Sequence, residues 1–335
     1  MGVSKKSNLL DKIFEVKDVV QKATREGYGQ GLLEAGRKDE RIVALCADLT
    51  ESTQTIHFAE AFPNRFIEIG VAEQNLAAVA AGLANYGKIP FISSYATFSP
   101  GRNWEQIRTT ICYNNVPVKI VGSHAGVSVG PDGATHQALE DIAIMRALPN
   151  MTVLYPCDAN EAQKATLAAA KTKHPVYLRL AREKTAVFTT KQTPFVIGKA
   201  EVFFESKGKP DVVLLASGPL VYETIMAAHA LEKIGRSVRV INLHTIKPID
   251  ERTLIKAARD AGAIVTVEEH QIAGGMGSAV AEILAQHNPV PIEFVGIKNH
   301  FGESGTPEQL LKKFGLTEAG IVRAAKQAIA RKRSS

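Results

Sequence analysis

Short apolar runs alternate with longer alanine-rich stretches along the whole chain. The runs are brief and rich in β-branched residues, as in VVLLA at 212–216, and the stretches have the composition of helices, as at 159–171. Strands and helices that alternate in this way build βα units, which assemble into a parallel sheet covered by helices. The sequence therefore predicts an α/β fold.

The alternation falls into two blocks, which we interpret as two domains. In the first block, strands are predicted at 41–46, 66–69, 90–94, 116–122, 151–155 and 176–180, and helices at 24–35, 73–86, 103–113, 138–147 and 159–171, the last with Asp158 as its N-cap. In the second block, strands are predicted at 212–216, 238–243, 263–268 and 292–296, and helices at 222–234, 251–261, 277–286 and 317–330. Between the blocks, KTAVFTTKQTPF and ESKGKPD interrupt the alternation. We therefore predict a first domain over residues 15–183, a linker over 184–210 and a second domain over 211–331.

Composition narrows the class of protein. The chain has 335 residues, of which 45% are hydrophobic and 22% charged, as is typical of a folded globular protein rather than a disordered or fibrous one. The longest stretch of small apolar residues, 76–84, is far shorter than the roughly 20 residues that a membrane-spanning helix needs. The first residues, MGVSKKSNLLDK, lack the apolar block of a secretory signal. We expect a cytoplasmic protein without a transmembrane segment.

Cysteines and charge set further limits. Cys46, Cys112 and Cys157 are not in paired spacings, which argues against disulfides and thiolate metal sites and fits a reducing compartment. Lys and Arg number 40 against 34 Asp and Glu, a formal net charge of +6, and the lysines are scattered rather than interleaved with aromatic residues. We therefore expect an anionic small molecule rather than a nucleic acid as ligand.

Polar and aromatic residues follow most strands of the first block. In open α/β sheets, ligands bind beyond the carboxyl ends of the strands, so these residues are candidates for a binding site at one edge of the sheet. They are Asp48, Ser52, Glu73, Tyr95, Phe98, His124, Asp132, His136 and Arg182.

Glu73 lies in GVAEQNLAAVAAGLA, in the first turn of a predicted alanine-rich helix. Backbone N–H groups and the helix dipole favour a negative charge at that place, so an ordinary helix-start carboxylate is one interpretation. A functional carboxylate is the other. The alanines and glycines that follow would let another backbone or subunit approach closely, or would simply pack tightly.

Residues 123–141, SHAGVSVGPDGATHQALED, combine a glycine-rich loop with His124, Asp132 and His136. Glycines permit close approach of the backbone to a ligand, and histidines can donate or accept hydrogen bonds near neutral pH. Alternatively, Asp132 and Gly133 form an ordinary turn and His136 caps the next helix. No compact set of His, Asp or Cys residues indicates a metal site.

Arg25, Ser52, His124 and Arg182 could together bind a phosphate, because guanidinium groups bind phosphate with two hydrogen bonds and a hydroxyl adds another donor. Taken singly, each is an ordinary surface side chain, and their shared place at strand ends is what favours a site. A second glycine-rich segment, EEHQIAGGMGSAV, lacks the spacing of the dinucleotide-binding fingerprint. We interpret it as a tight strand-to-helix turn, with cofactor binding as the alternative.

The ordered set of motifs resembles the C-terminal half of transketolase. The motifs are TREGYGQGLLEAG, CADLTEST, GVAEQN, SSYATF, EQIR, VGPDGATHQALEDIAIMRALPNMTV, HTIKPID and VEEHQIAGGMG. The resemblance covers nearly the whole chain and implies a pyrimidine-binding domain followed by the small C-terminal domain of that family. The chain looks most similar to the C-terminal subunits of split transketolases, in which two polypeptides divide the enzyme.

The resemblance implies thiamine diphosphate as the cofactor. In such enzymes it lies between a diphosphate-binding domain and the pyrimidine-binding domain of another chain. No GDG occurs in this sequence, so the family's signature for Mg²⁺ and diphosphate is missing. We therefore expect Mg²⁺ to be bound mainly by an N-terminal partner subunit, in an assembly with two copies of each chain. The expected substrates are sugar phosphates, with no nucleic acid and no membrane as partner.

The resemblance also implies residue roles on the cofactor side. Glu73 is expected to form a hydrogen bond with the aminopyrimidine ring nitrogen, and Tyr95 and Phe98 to pack on the pyrimidine ring. Asp48 is expected near the cofactor. A third aromatic residue of many single-chain transketolases is missing near residues 100–101, where the sequence has Pro and Gly.

On the substrate side, the resemblance implies two groups of residues. Asp132 and His136 are expected to bind hydroxyls close to the reacting carbon and thus to belong, with Glu73, to the catalytic set. The phosphate end of the sugar channel is expected to consist of Arg25, Ser52, His124 and Arg182.

Three other interpretations compete. Deoxyxylulose-5-phosphate synthase shares the AEQ and DG-THQ motifs, but it usually carries arginine where His124 stands. The β subunits of 2-oxo acid dehydrogenase decarboxylases share the two-domain plan, but the DGATHQ loop fits them less well. An inactive regulatory or binding module is the third. Intact Glu73, Asp132 and His136 argue against such a module, because a scaffold has no need of a proton-transfer carboxylate.

Overall fold

The computed structural model describes residues 2–4 and 7–333, whose strands form sheets of seven, five and two strands. The strands are β1 (Gln21–Ala23), β2 (Ile42–Cys46), β3 (Phe66–Glu68), β4 (Ile89–Tyr95), β5 (Lys119–Ser123), β6 (Thr152–Leu154), β7 (Val176–Arg179), β8 (Lys184–Ala186), β9 (Glu201–Glu205), β10 (Val212–Ala216), β11 (Val238–Asn242), β12 (Thr245–Lys247), β13 (Ile264–Gln271) and β14 (Ile292–Ile297). The α-helices are α1 (Thr24–Lys38), α2 (Ile56–Ala61), α3 (Glu73–Asn85), α4 (Trp104–Gln106), α5 (Asp141–Arg146), α6 (Ala159–Ala170), α7 (Leu220–Lys233), α8 (Glu251–Ala261), α9 (Met276–His287), α10 (Pro307–Lys313) and α11 (Glu318–Arg333).

The first domain is built on the seven-stranded sheet, in the order β12, β6, β7, β5, β4, β2, β3. Its neighbouring strands are parallel except for β12 and β6. The central strand β5 is buried at every position, as expected for a parallel sheet that helices cover on both faces. Helices α1 and α6 pack so closely that a Cβ at Gly27 would lie 1.9 Å from the carbonyl oxygen of Ala159. Only glycine fits there.

The second domain is built on the five-stranded sheet, in the order β14, β13, β10, β11, β9. Only β9 runs antiparallel to its neighbour in this sheet. Both main sheets are thus largely parallel and carry helices between their strands. The predicted α/β fold class is confirmed.

Residues 184–210, predicted as a linker, contain two strands. β8 pairs antiparallel with β1, and β9 joins the second sheet beside β11. From the second block, β12 pairs with β6 at the edge of the first sheet. The two domains are therefore connected through β12 as well as along the chain, and the domain limits at 15–183 and 211–331 stay a prediction.

The predicted helix at 103–113 is α4 followed by a π-helical turn over Ile107–Cys112. In this turn, the hydroxyls of Thr109 and Thr110 donate to the carbonyl oxygens four residues earlier, at 2.9 and 2.5 Å. Such side-chain hydrogen bonds compete with the backbone N–H groups and distort a helix. Among the described helices, none is long and apolar enough to cross a membrane.

Candidate active site

The carboxyl ends of β7, β5, β4, β2 and β3 lie next to one another at one edge of the seven-stranded sheet. This arrangement brings the candidate residues to a common edge, because neighbouring parallel strands end on the same side. The candidates are Asp48 and Ser52 after β2, Glu73 after β3, Tyr95 and Phe98 at the end of β4, His124, Asp132 and His136 after β5, Arg182 after β7, and Arg25 at the start of α1.

Glu73 is the first residue of α3 and is only 5% exposed. Its Oε1 accepts a hydrogen bond from Nη1 of Arg102 at 3.1 Å, and its backbone oxygen accepts one from Nδ2 of the buried Asn103 at 2.9 Å. Among the described residues, none donates a hydrogen bond to the second carboxylate oxygen, Oε2. A buried carboxylate with one open oxygen can share a proton with a ligand nitrogen.

Four rings form one cluster at this edge, which we call the ring cluster: Tyr95, Phe98, His124 and His136. The Tyr95 ring stacks on His124 at a centroid distance of 3.8 Å and lies nearly parallel to Phe98 at 6.0 Å. His136 meets Phe98 edge-on at 5.3 Å. The cluster combines aromatic faces for a flat ligand with imidazole groups for hydrogen bonds.

His124 is 2% exposed, and its Nδ1 lies 2.9 Å from Oγ of Ser123. Burial, together with the positive charges of Arg25 and Arg182 and with His136, lowers the pKa of His124 to about 3. Its ring is therefore neutral at physiological pH and can offer a hydrogen bond but no positive charge.

Arg25, Ser52 and Arg182 come together beside the ring cluster. The guanidinium of Arg25 donates from Nε to the carbonyl oxygen of Arg182 at 3.1 Å and from Nη1 to that of Ser52 at 2.7 Å. Nη1 of Arg182 donates to the carbonyl oxygen of Val129 at 2.7 Å and to Oε1 of Glu183 at 3.1 Å. The Arg182 side chain is 31% exposed, so it is accessible to a ligand. The charges of both arginines act on His124, and guanidinium groups around one place suit an anion such as phosphate.

Residues 126–137, which we call the glycine loop, carry Asp132 and His136. All three of its glycines adopt positive φ: Gly126 at 94°, Gly130 at 83° and Gly133 at 74°. Asp132 is exposed, whereas His136 is half-buried within the ring cluster. The loop therefore depends on glycine for its shape and presents one carboxylate and one imidazole at the sheet edge.

Asp48 lies at the same edge, and among the described residues no hydrogen bond joins its side chain to the ring cluster. It is exposed, with a φ of 57°, and its backbone N–H donates to Oε1 of Glu68 at 2.7 Å. Glu68, which ends β3, also accepts hydrogen bonds from the N–H of Gly70 at 2.9 Å and the hydroxyl of Thr50 at 3.0 Å. Within the described part of the chain, no hydrogen bond or ion pair connects the Asp48 carboxylate with Glu73.

Arg102 is the site residue that sequence reasoning missed. It directly follows positions 100–101, where the resemblance led us to note a missing aromatic residue. Its guanidinium carbon lies 4.2 Å from the centroid of the Phe98 ring, while Nη1 bonds Glu73. The cation thus covers a ring face next to the buried carboxylate. The available signal was a cation four residues after Phe98, but its direction depends on the tertiary structure.

The glycines of EEHQIAGGMGSAV form a strand-to-helix turn. The carboxylate of Glu268 accepts hydrogen bonds from the N–H groups of Met276 and Gly277, at 2.7 and 2.8 Å, where α9 begins. A Cβ at Gly275 would lie 2.3 Å from Oε2 of Glu268. Because a carboxylate of the chain itself fills the anion-binding N-terminus of the helix, the structure favours the turn over cofactor binding.

Across residues 2–4 and 7–333, no cluster of three or more His, Cys, Asp or Glu side chains is arranged to hold a metal ion. Cys46, Cys112 and Cys157 are all buried and free.

Comparisons with known proteins give the family. The pyrimidine binding domain of transketolase matches residues 20–187, and the C-terminal domain of transketolase matches residues 198–321. The chain is 44% identical over 307 residues to a putative transketolase C-terminal section of Methanocaldococcus jannaschii, covering 91% of this chain and 95% of the relative. It is 41% identical over 319 residues to the 6-deoxy-6-sulfo-D-fructose transketolase subunit SqwH of a Clostridium species, covering 95% of this chain and 98% of the relative.

A solved structure agrees with these matches. A split-gene transketolase, described as an inactive beta4 tetramer, has a TM-score of 0.86 and 46% identity, covering 93% of this chain and 99% of that chain. Sequence, domain order and fold thus point to one family. The chain belongs to the transketolase family of transferases, as the C-terminal subunit of a split transketolase.

Proposed function

We propose that this subunit, together with an N-terminal partner subunit, transfers a two-carbon ketol unit from a ketose phosphate to an aldose phosphate with thiamine diphosphate as cofactor. The observation that carries the proposal is the carboxylate of Glu73. It is 5% exposed, one of its oxygens is not bonded by any described residue, and it lies at the same sheet edge as the ring cluster and the two arginines.

The residues fit the aminopyrimidine half of thiamine diphosphate. The aminopyrimidine ring is flat and has basic nitrogens, so it needs an aromatic face to pack on and a carboxylate that is shielded from water. Phe98 and Tyr95 offer the aromatic faces, and the buried Glu73 offers the carboxylate. When bound, thiamine diphosphate supplies a carbon nucleophile. We assign to Glu73 the role of holding a proton at a ring nitrogen through Oε2, the oxygen to which no described residue donates. Asp48, exposed in the turn after β2, is the proposed cofactor neighbour.

Arg102 adds a condition to this fit. It bonds Oε1 of Glu73 and covers the Phe98 ring, which are two of the groups that we assign to the cofactor. Arg102 therefore has to share the carboxylate with the pyrimidine ring or move off Phe98. Its side chain is 52% exposed, so it has room to move.

For the sugar, we assign hydroxyl binding near the reacting carbon to Asp132 and His136. His136 supports this role because its ring meets Phe98 at 5.3 Å, next to the proposed pyrimidine position. Asp132 is exposed on the glycine loop, where its carboxylate can accept hydrogen bonds from hydroxyls.

For the sugar phosphate, we assign binding to Arg25, Ser52, His124 and Arg182. Since the pKa of His124 is lowered to about 3 by burial and by the nearby arginines, His124 contributes a hydrogen bond only. The positive charge must come from Arg25 and Arg182. The guanidinium of Arg25 is held against the backbone of Arg182 by the hydrogen bond at 3.1 Å.

The proposal requires a partner subunit. The family matches at 20–187 and 198–321 are to the pyrimidine-binding and C-terminal domains, and the sequence contains no Gly-Asp-Gly signature. The partner would then hold Mg²⁺ and the diphosphate. We propose two copies of each chain, acting in the reducing cytoplasm that the free cysteines suit.

The competing interpretations fit less well. The relatives described above are named as a transketolase section and a transketolase subunit, and they match over nearly their full length. This favours transketolase over deoxyxylulose-5-phosphate synthase and over the β subunit of a 2-oxo acid dehydrogenase. The inactive state of the solved beta4 relative is also what a chain without its partner would show.

The test is an assay of the assembled enzyme. The chain is purified with the subunit that it retains from its native cell, and transfer from xylulose 5-phosphate to ribose 5-phosphate is measured with thiamine diphosphate and Mg²⁺. We expect transfer only when both subunits are present. Reaction with pyruvate alone as donor would favour the synthase or dehydrogenase interpretation, and no reaction from a stable complex would favour the inactive module.

A further inference from the structure

The second domain contacts the glycine loop at its beginning. Glu269, near the end of β13, is 2% exposed, and its Oε1 accepts a hydrogen bond from the N–H of Ser128 at 2.6 Å. Gly126 lies against the same carboxylate, because a Cβ at this position would be 2.3 Å from Oε1 of Glu269. The first residues of the loop are therefore shaped around this one side chain of the other domain.

A second contact holds the end of the loop. Nε2 of Gln137 donates to the carbonyl oxygen of Glu303 at 2.9 Å, and within the loop to those of Val127 and Gly130 at 3.2 Å each. Glu303 lies between β14 and α10, in the second domain. The glycine loop is thus held by the second domain near both of its ends.

Arg179, at the end of β7, connects these contacts with the first sheet. Its buried Nη2 donates to the carbonyl oxygen of Ala138 at 3.1 Å and to that of Glu269 at 3.0 Å. Ala138 forms a bridge with Ala125 and so closes the loop at its base. The base of the loop, Glu269 and the seven-stranded sheet belong to one hydrogen-bonded network.

The hydrogen bond from the N–H of Ser128, rather than packing, explains why a carboxylate stands at position 269. Burying a carboxyl group costs free energy, and an apolar side chain would fill the same space without that cost. Burial also raises the pKa of Glu269. A glycine-rich loop has many accessible conformations when nothing holds it, so an acceptor for a loop N–H selects among them.

We infer that Glu269 is a positioning residue for the sugar site: by accepting the N–H of Ser128, it fixes the glycine loop in the conformation that presents Asp132 and His136 to the substrate. The sugar-binding half of this inference rests on the proposed function, whereas the holding of the loop does not. The second domain would thereby set substrate affinity without contributing a side chain that contacts the sugar.

The first measurement uses the full chain alone. Hydrogen exchange of peptides that cover the glycine loop is followed by mass spectrometry in wild type, Glu269→Ala and Glu269→Gln. Loss of the acceptor in Glu269→Ala should speed exchange in these peptides by about tenfold or more. Glu269→Gln keeps an oxygen that can accept the Ser128 N–H and should restore slow exchange.

The chain offers a matched control at the preceding position. Glu268 is equally buried and lies on the same strand, but it bonds the N–H groups of Met276 and Gly277 in its own domain. Glu268→Ala should therefore leave exchange in the glycine loop unchanged, even where it lowers the stability of the second domain.

The second measurement uses the assembled enzyme. Glu269→Ala should raise the KM for the aldose phosphate about tenfold or more, with cofactor affinity unchanged, whereas Glu268→Ala should leave the KM unchanged. An unchanged KM in Glu269→Ala, or an equal rise in Glu268→Ala, would overturn the positioning role. Should Glu269→Ala fail to fold, Gly126→Ala, which places a methyl group against the Glu269 carboxylate, should give the same rise in exchange and in KM.

The two hypotheses fail in different ways. If wild-type complex transfers no ketol unit, the proposed function is wrong, and the exchange experiment still decides whether Glu269 holds the loop. If exchange in the loop is the same in wild type and Glu269→Ala, the inference about Glu269 is wrong whatever the activity.

Discussion

A buried ion pair beneath the glycine loop should be essential for stability. The side chains of Arg179 and Asp141 are 0% and 2% exposed, and Nε of Arg179 lies 2.7 Å from Oδ2 of Asp141. Burial by itself would raise the pKa of Asp141. The charge and hydrogen bonds of its neighbours, mainly those of Arg179, outweigh burial and hold the pKa of Asp141 below its usual range. Both groups are therefore charged at neutral pH.

Arg179→Ala would leave the Asp141 charge buried without its partner. Breaking a buried pair in this way costs about 3–5 kcal/mol. The carbonyl oxygens of Ala138 and Glu269 would each lose a donor, at a cost of about 1 kcal/mol apiece. Because such terms overlap, we expect the free energy of unfolding to fall by about 5 kcal/mol.

The assay is urea unfolding of the chain, followed by circular dichroism, with the midpoint and slope compared between variants. The matched variant is Arg179→Met with Asp141→Leu, which removes both charges and keeps apolar volume. Apolar replacement of the pair itself is often nearly neutral. The carbonyl oxygens of Ala138 and Glu269 and the buried hydroxyl of Tyr177, which donates to Oδ2 of Asp141, still each lose a partner at about 1 kcal/mol. We therefore expect the double variant to lose only about 3 kcal/mol. A loss below about 1 kcal/mol in Arg179→Ala, or a double variant as unstable as the sum of the single variants, would refute the reasoning.

Three further predictions concern the site. Glu73→Gln keeps the shape but loses the carboxylate, so turnover of the assembled enzyme should fall by about 100-fold or more; near-normal turnover would remove Glu73 from the catalytic set. Arg182→Ala should raise the KM for phosphorylated acceptors about tenfold with little change in kcat, and an equal loss with non-phosphorylated acceptors would argue against phosphate binding. The pKa of His124 is about 3 when folded against an ordinary 6.5, so the folded chain binds fewer protons between these values. As the pH falls from 6.5 to 4, the free energy of unfolding of wild type should therefore drop relative to that of His124→Gln by about 1.4 kcal/mol per pH unit. The measurement is urea unfolding of both variants over this range. If both lose the same free energy of unfolding, the His124 ring is not held neutral in the folded chain.

Elements that depend on nearby residues were predicted well. Helix α8 spans Glu251–Ala261 and strand β10 spans Val212–Ala216, as predicted. Asp158 caps α6 as predicted, because its side chain accepts the N–H of Glu161 at 2.9 Å. Apolar runs, alanine-rich segments and capping residues act over a few positions, so the sequence shows them directly.

Elements held by distant partners were missed. The strands β1, β8 and β12 have three residues each, and pairing with remote segments stabilises them rather than their own composition. The same holds for β9, which lies within the predicted linker and pairs with β11. The missed three-residue strands read QKA, KTA and TIK and contain no apolar run, unlike the equally short β3 and β6, so only the assembled sheets reveal them.

The sequence by itself was enough to predict the family, the α/β class and the types of residue that follow each strand. The tertiary structure decided which of these side chains meet. It placed Arg102 on Glu73, 29 positions away, and Glu269 of the second domain on Ser128, 141 positions away. The physical reason is range: local propensities act within a few residues, whereas contacts between distant segments depend on how whole sheets and helices pack, which no local pattern encodes.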